Sequence, residues 1–188
     1  MQFIENRTFT KTDFISIKLA LGEYEECIFK GCNFSGNDLS NFVFMDCKFI
    51  DCDLSLSKFN NTSMNQVHFE NCKLLGCDFQ YIKAFLFSVG FTNCSMKLAS
   101  FYKLNLKKTA FINCNLQEVD FAEANLNNAI FEDCDLSAAI FDRTNLQNAN
   151  LKGSYNYTID PENNSIKKAK FSIPEVLGLL AKYDISVS

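Results

Sequence analysis

Large apolar side chains recur at every fifth position through most of the chain, from Ile4, Phe9 and Phe14 to Phe131, Leu136, Phe141, Leu146 and Leu151. A period of five fits neither the roughly 3.6 residues of a helical turn nor the roughly 2.0 of a strand, so the chain reads as stacked short units. Sixteen of the twenty phenylalanines share this phase; the exceptions are Phe3, Phe42, Phe85 and Phe87. A second register lies two residues before each apolar centre and holds small side chains. All nine cysteines fall there, as do Ala124, Ala129, Ala139 and Ala149. Cysteine at such a site is a small, soft hydrophobe where volume is limited. The cysteines also recur at twenty, in Cys32, Cys52 and Cys72 and again in Cys94, Cys114 and Cys134. Twenty is four units of five, which predicts a four-sided coil, each coil lying on the last and burying its apolar centres by stacking.

The pattern also predicts where the stack is interrupted. Phe79 is followed in phase by Leu86 and Phe91, so two residues are inserted within Gln80–Phe87. This insertion predicts a bulge over 80–87 that turns some aromatic surface outward. Gly153–Ser165, with Asp160-Pro161 and Asn163-Asn164, has the composition of a turn-rich loop, after which Ile166 and Phe171 resume the fives. The repeat domain thus spans 1–171. The segment 172–188 reads as a short α-helix and tail, with Ser172 as N-cap, Pro174 in the first turn and Glu175 completing a capping box. Ile173, Val176, Leu177 and Leu180 form one helical stripe, with Leu179 outside it and exposed on a lone helix. The expected role is a lid on the open end of the stack. Its surplus apolar groups, Val176, Leu177, Leu179, Leu180, Ile185 and Val187, are candidates for a tail-to-tail homodimer interface.

Composition narrows the chemistry. The 188 residues suffice for one elongated domain with a terminal cap, and no apolar run approaches the roughly 18 residues of a membrane span. The start of the chain lacks a secretory apolar core, and the odd cysteine count points to reduced thiols in a cytoplasm. The cysteine spacing follows the coil rather than paired metal knuckles, so no metal or cofactor site is assigned. The one histidine, His68, precedes a central Phe and belongs on the outer wall. No phosphate loop or nucleophile elbow is present, and the chain is read as non-enzymatic.

The unit A-[DN]-L-x-x is visible in Ala124-Asn125-Leu126, Cys134-Asp135-Leu136, Ala149-Asn150-Leu151, Cys77-Asp78-Phe79 and Cys114-Asn115-Leu116. In these the chain resembles the pentapeptide-repeat proteins, which implies an all-β solenoid, a right-handed quadrilateral β-helix. Within that family Cys32-Asn33-Phe34-Ser35-Gly36-Asn37-Asp38-Leu39-Ser40, and the end from Phe171 to Val187, are similar to the Qnr-type quinolone-resistance branch. That likeness implies a rod-shaped dimer that binds a type II topoisomerase, DNA gyrase or topoisomerase IV, and opposes quinolone action. Qnr-type proteins carry two projecting loops needed for protection. This chain has only the bulge over 80–87 and the segment 153–165, whereas loop-poor relatives act on gyrase by resembling DNA.

Charge supplies two candidate surfaces. Residues 111–151 hold seven acids and one base, and Asp120, Glu123, Glu132, Asp133 and Asp142 are the candidate acidic face. Residues 83–108 hold Lys83, Lys97, Lys103, Lys107 and Lys108 and no acid, a candidate basic belt in which the twenty-residue period sets Lys83 near Lys103. Stacked about 4.8 Å apart, the coils of residues 4–151 make a rod about 36 Å long. B-DNA of that length carries about 21 phosphate charges. The same residues hold 18 acids and 13 bases, a net of minus five, so mimicry rests on shape and local charge. The alternative is a scaffold for another protein, or for a nucleic acid on the lysine belt; the acidic net charge weighs against the nucleic acid.

Overall fold

The computed structural model describes residues 2–186 of the chain. The backbone winds into parallel coils that hydrogen-bond to their neighbours along four walls. The first wall carries the strands Gln2–Glu5, Gly22–Glu25, Val43–Met45 and Ser63–Asn65. The second is a seven-stranded parallel sheet running from Thr8–Thr10 through Lys48–Ile50 and Val67–Glu70 to Ile130–Glu132. The third and fourth are ladders of single bridges. One runs from Asp13 and Asn33 through Lys73 and Ser95 to Asp135 and Tyr155, the other from Asp38 through Lys58, Asp78, Ser100 and Asp120 to Ile140.

Each unit of five has a mechanical reason. The central residue fills the lumen, and the Asp or Asn before it turns the chain by accepting a hydrogen bond from the N–H two residues on. Asp53 accepts from Ser55 at 2.9 Å, Asp78 from Gln80 at 2.9 Å, Asn115 from Gln117 at 3.0 Å and Asp120 from Ala122 at 2.8 Å. The corner follows two residues past the centre and takes a left-handed backbone, as at Asn71 (φ 52°), Asn93 (φ 54°) and Asn113 (φ 51°). Asparagine tolerates that conformation better than most residues. Here its amide also donates across coils, Asn93 to Asn71 at 3.1 Å and Asn113 to Asn93 at 2.7 Å.

Two phenylalanine ladders fill the lumen from opposite walls. On the second wall Phe29, Phe49, Phe69, Phe91, Phe111 and Phe131 stack with ring centroids 4.7 to 5.3 Å apart. On the fourth, Phe59, Phe79, Phe101, Phe121 and Phe141 stack at 4.9 to 5.6 Å. The ladders meet edge to face, as at Phe101–Phe111 (5.9 Å, 76°) and Phe121–Phe131 (5.8 Å, 86°). Both geometries are favourable for aromatic quadrupoles. Beside the rings stands a column of six thiols, Cys32, Cys52, Cys72, Cys94, Cys114 and Cys134, closed by Ser154, whose hydroxyl accepts from the Cys134 N–H at 3.1 Å. Inward thiols donate to carbonyls of the preceding coil, Cys52 to Phe29 at 3.3 Å and Cys134 to Phe111 at 3.3 Å. Ser57, Thr62 and Thr144 make the same bond with hydroxyls, to Phe34 (2.8 Å), Leu39 (2.7 Å) and Phe121 (2.9 Å). The small register is therefore a donor site as well as a tight one. Burial pushes the Cys47 and Cys77 thiols up to about 12, which keeps them protonated and inert.

Three expectations need correction. In the bulge, Leu86 does not take the inward place: it is 60% exposed at a left-handed corner, and Phe87 packs against the core instead. Gly153–Ser165 is not a loop outside the stack. Tyr155 and Ser165 bridge to Asp135 and Asn145, Ile159 fills the small inward register with a larger side chain, and Tyr157 enters the lumen one residue off phase, so the segment is one more, irregular coil. Among the described residues the terminal α-helix is absent. Glu175–Leu179 and Ala181–Tyr183 are short 3₁₀ turns without a side-chain cap. The groups expected to form a capping box serve the last coil: Ser172 Oγ accepts from the Gly153 N–H at 3.3 Å, and the Glu175 carboxylate from the Asn156 N–H at 3.1 Å. Leu179, placed outside the stripe, is the leucine that packs on the core, while Ile173 is 89% exposed.

Removing one ring from the middle of a ladder leaves a void that neighbouring coils cannot fill. Phe91→Ala is expected to cost about 3–5 kcal/mol in urea unfolding. Cys114→Ala, which deletes a weak donor from a tight site, is expected to cost about 1 kcal/mol. Equal losses would show that the ladder is no more important than the thiol column.

Candidate partner-binding surfaces

Because a coil has four walls and twenty residues, positions ten apart face opposite directions. This sorts the acidic segment into two groups. Asp120 and Asp142 lie on the fourth wall, with Glu123 at its corner, whereas Glu132 ends a strand of the second wall and Asp133 occupies the corner beside it. The five carboxylates therefore do not share one face. Those on the fourth wall are largely neutralised: Arg143 reaches Glu123 and Asp142, each at 3.1 Å, and Lys103 reaches Glu123 at 3.4 Å. Tyr102 donates its hydroxyl to Glu123 at 3.2 Å and lies under Lys103, 4.7 Å from the ring centroid. Asp120, Glu132 and Asp133 have no cationic partner within 4.0 Å among the described residues.

The lysine belt is dispersed in the same way. Lys97 follows Met96 on the third wall and pairs with Glu118 at 3.0 Å, while Lys103 and Lys108 occupy successive corners with Lys107 on the wall between them. Phe79 stacks on Phe101, and Asp78 bridges to Ser100, so the corner matching Lys103 is Tyr81 and not Lys83. The expected Lys83–Lys103 neighbourhood is displaced by the two inserted residues.

The carboxylate with the strongest internal role is one the acidic-face assignment left out. Asp135 accepts from Gln117 and Ser137, both at 2.6 Å, and from Asn156 at 3.1 Å, tying three coils together. Partial burial works to raise its pKa, but these hydrogen bonds outweigh it and hold the carboxyl at about 2. Sequence singled out its repeat unit but gave no sign of the partners, which come from neighbouring coils.

His68 stands on the second wall in register between Lys48 and Gly90, where a Cβ on Gly90 would meet its Nδ1 at 2.8 Å. A shallow depression of about 350 Å³ beside it is lined by Lys48, Ile50, His68, Phe69, Glu70 and Thr92. Among the described residues there is no cluster of three or more metal-ligating side chains, and no helix is long and apolar enough to cross a membrane.

At the other end, the terminal segment is fastened along the last coil. Gly178 lies so close to Tyr157 that a Cβ would sit 2.0 Å from the Tyr157 carbonyl oxygen, and its own carbonyl accepts from the Ile159 N–H at 3.2 Å. Lys182 bridges Asp160 and Glu162, both at 2.7 Å, and the Tyr183 hydroxyl donates to Glu162 at 2.7 Å. Leu177, Leu180 and Ile185 remain 43%, 37% and 57% exposed around a shallow groove of about 270 Å³, while Val176 and Leu179 are half-buried. Val187 lies outside the described residues.

Comparison with known proteins fits this architecture. The family description "Pentapeptide repeat region" matches residues 22–84 and 84–171. The chain belongs to the pentapeptide-repeat family. Among solved structures, this pentapeptide-repeat protein is similar to a trypsin-treated variant of QnrB1, a plasmid-mediated fluoroquinolone resistance protein, with a TM-score of 0.66, 19% identity and 100% coverage of both chains. Full-length QnrB1 gives 0.46 at 21% identity, covering 98% of this chain and 100% of that one. HetL, a pentapeptide-repeat protein involved in heterocyst differentiation regulation in the cyanobacterium Nostoc, gives 0.42 at 16% identity, with 89% and 86% covered. No curated protein matches the chain.

The Asp135 cluster yields a pH test. Its folded pKa of about 2 lies below the ordinary 3.8, so its stabilisation is fully present above the ordinary value and is lost as pH falls through about 2. Asp135→Asn is expected to lower stability at neutral pH and to flatten the acid limb of the stability curve. Superimposable limbs for variant and parent would remove the carboxylate from that role.

Proposed function

We propose that this pentapeptide-repeat protein is a non-enzymatic, cytoplasmic binding protein that docks as a DNA-like rod on a type II topoisomerase, DNA gyrase or topoisomerase IV, and so opposes quinolone action. The observation that carries the reading is the whole-length match, at a TM-score of 0.66, to a protein whose activity is fluoroquinolone resistance. Surface charge supports it. Asp120 on one wall and Glu132 and Asp133 on the opposite side leave unpaired carboxylates on two flanks of the rod, as a duplex presents phosphates on both sides of its axis. The interior is committed to packing, so recognition falls to these flanks. Long-range attraction of that kind weakens as salt screens it.

In a purified gyrase supercoiling assay, the protein is expected to inhibit supercoiling when in excess and to raise the quinolone concentration needed for inhibition when scarce. Glu132→Lys combined with Asp133→Lys is expected to weaken binding about tenfold, with a shallower salt dependence. Indifference of the enzyme to the protein, with and without drug, would refute the reading.

The second element of the proposal is a homodimer through the C-terminus. Leu177, Leu180 and Ile185 form an apolar surface held rigidly by the Gly178 contact and the Lys182 bridges, the condition under which an exposed patch binds a copy of itself at small entropic cost. Leu177→Asp is expected to convert a dimer to a folded monomer in light scattering. Persistence of the dimer would move the interface elsewhere.

A further inference from the structure

Charge on the first wall is sorted along the rod. In the coils of Gln2–Glu5, Gly22–Glu25 and Val43–Met45, the outward residues of this wall and of the corner after it include Glu5, Glu23, Glu25, Glu26 and Asp46, and no base. Beyond Ser63–Asn65 the same positions carry Lys83, Lys107, Lys108, Lys167 and Lys168, and no acid. The fourth wall has no such order, since Asp38, Lys58 and Asp78 alternate in sign along one ladder. Nor are the sorted charges used within the chain. None of them has an opposite charge within 4.0 Å among the described residues, whereas Glu118, Glu123 and Asp142 elsewhere are all paired.

A wall with opposite charge at its two ends is complementary to itself when reversed. Two copies laid face to face about a two-fold axis across the wall run antiparallel, and each column of one copy then faces the same column of the other. With the axis at Ser63–Asn65, the coil of Gly22–Glu25 faces the coil that carries Lys107 and Lys108. Glu25 then meets Lys107 and Glu26 meets Lys108, each contact occurring twice because the interface is isologous. Ser63 and Asn65, small and uncharged, meet their own copies at the axis. In this register no acid faces an acid and no lysine faces a lysine. Met45 faces the bulge that carries Phe85, which is 82% exposed, and a thioether against an aromatic ring is a favourable contact.

We propose that the first wall is a docking surface for the first wall of a second copy of this chain, antiparallel and in register about Ser63–Asn65. The surface is separate from the C-terminal patch, and it leaves Asp120, Glu132 and Asp133 on the other walls uncovered. Its size sets its strength. Seven overlapping coils are about 29 Å long and a wall of five residues is at most about 16 Å wide, so each copy contributes about 460 Å². A standard interface takes roughly 800 Å² from each partner. The pairing is therefore weak, with a Kd of about 10–100 μM in low salt, and it fades as salt screens the facing charges.

Sedimentation velocity on the full chain, from about 0.01 M to about 1 M salt, reads the pairing. The mass at high salt is the reference, whatever the C-terminus contributes to it. In low salt the weight-average mass is expected to rise toward twice that reference. Glu25→Lys combined with Glu26→Lys is expected to weaken the pairing at least about tenfold. Adding Lys107→Glu and Lys108→Glu to the same chain is expected to restore it, because the facing signs are then exchanged rather than lost. A parent mass that does not change with salt would overturn the proposal by itself, even where a variant fails to fold. So would a four-residue exchange that folds but stays at the reference mass. Low-salt retention of a short DNA duplex that Lys107→Glu and Lys108→Glu abolish, with a constant parent mass, would overturn it in favour of nucleic acid on the basic end.

Discussion

Phenylalanine rings in this protein stack at the spacing of the backbone that carries them. Adjacent parallel strands lie about 4.8 Å apart, and offset aromatic stacks prefer centroid separations of about 4.5 to 7 Å. A ring at the same place in every coil therefore satisfies both hydrogen bonding and packing without adjustment. Two such ladders, on opposite walls, fix the width of the lumen, since Phe101–Phe111 and Phe121–Phe131 must meet edge to face at 5.9 and 5.8 Å. What space remains beside the rings is taken mostly by small side chains, with Phe42 and Leu104 as larger exceptions on the other walls. From that geometry follow the thiol column and the recurrence of the twenty-residue coil on either side of the insertion.

The same constraint explains which parts of the structure were legible from sequence. Inward positions of the repeat domain can be read because every coil repeats the same steric demand, and one residue type per position records it. The inserted pair over 80–87 was countable for the same reason. Legibility ends where a side chain's role depends on what lies beside it in the stack. Tyr157 enters the lumen one residue off phase because the last coil has no coil beyond it to impose the register. Ser172 and Glu175 look like helix caps in isolation, yet the unpaired N–H groups of Gly153 and Asn156 at the open end claim them. Leu179 turns inward because the exposed end of the core is the larger apolar surface available to it.

Surface chemistry was the least legible part, and the reason is geometric. Sequence places Asp120 and Glu132 twelve residues apart in one acidic run, but a four-walled coil sends them to opposite sides of the rod. A charge run in a helix or a loop makes a patch; in this fold it makes a band. Conversely, residues distant in sequence become neighbours, so Glu123 is shared between Lys103 and Arg143 from the coils on either side. Net charge per segment thus says little about any one wall, and the useful unit is the column of residues spaced by twenty, or by twenty-two across the insertion.

Columns also separate what the fold requires from what it merely permits. Along the second-to-third corner the column Asp51, Asn71, Asn93 and Asn113 repeats a residue suited to a left-handed backbone and joins its amides into a ladder. Along the third-to-fourth corner the equivalent places read Leu56, Gly76 and Leu98, then Glu118 and Ala138, with no side-chain hydrogen-bond ladder among the described residues. The two corners have the same backbone and the same lumen, but at the second the Leu56 side chain packs over Gly76 of the next coil. A repeat fold offers this internal control because every wall is built several times over. Where one column departs from the conformational preference that its counterparts obey, a side-chain contact between adjacent coils stands in for the amide ladder.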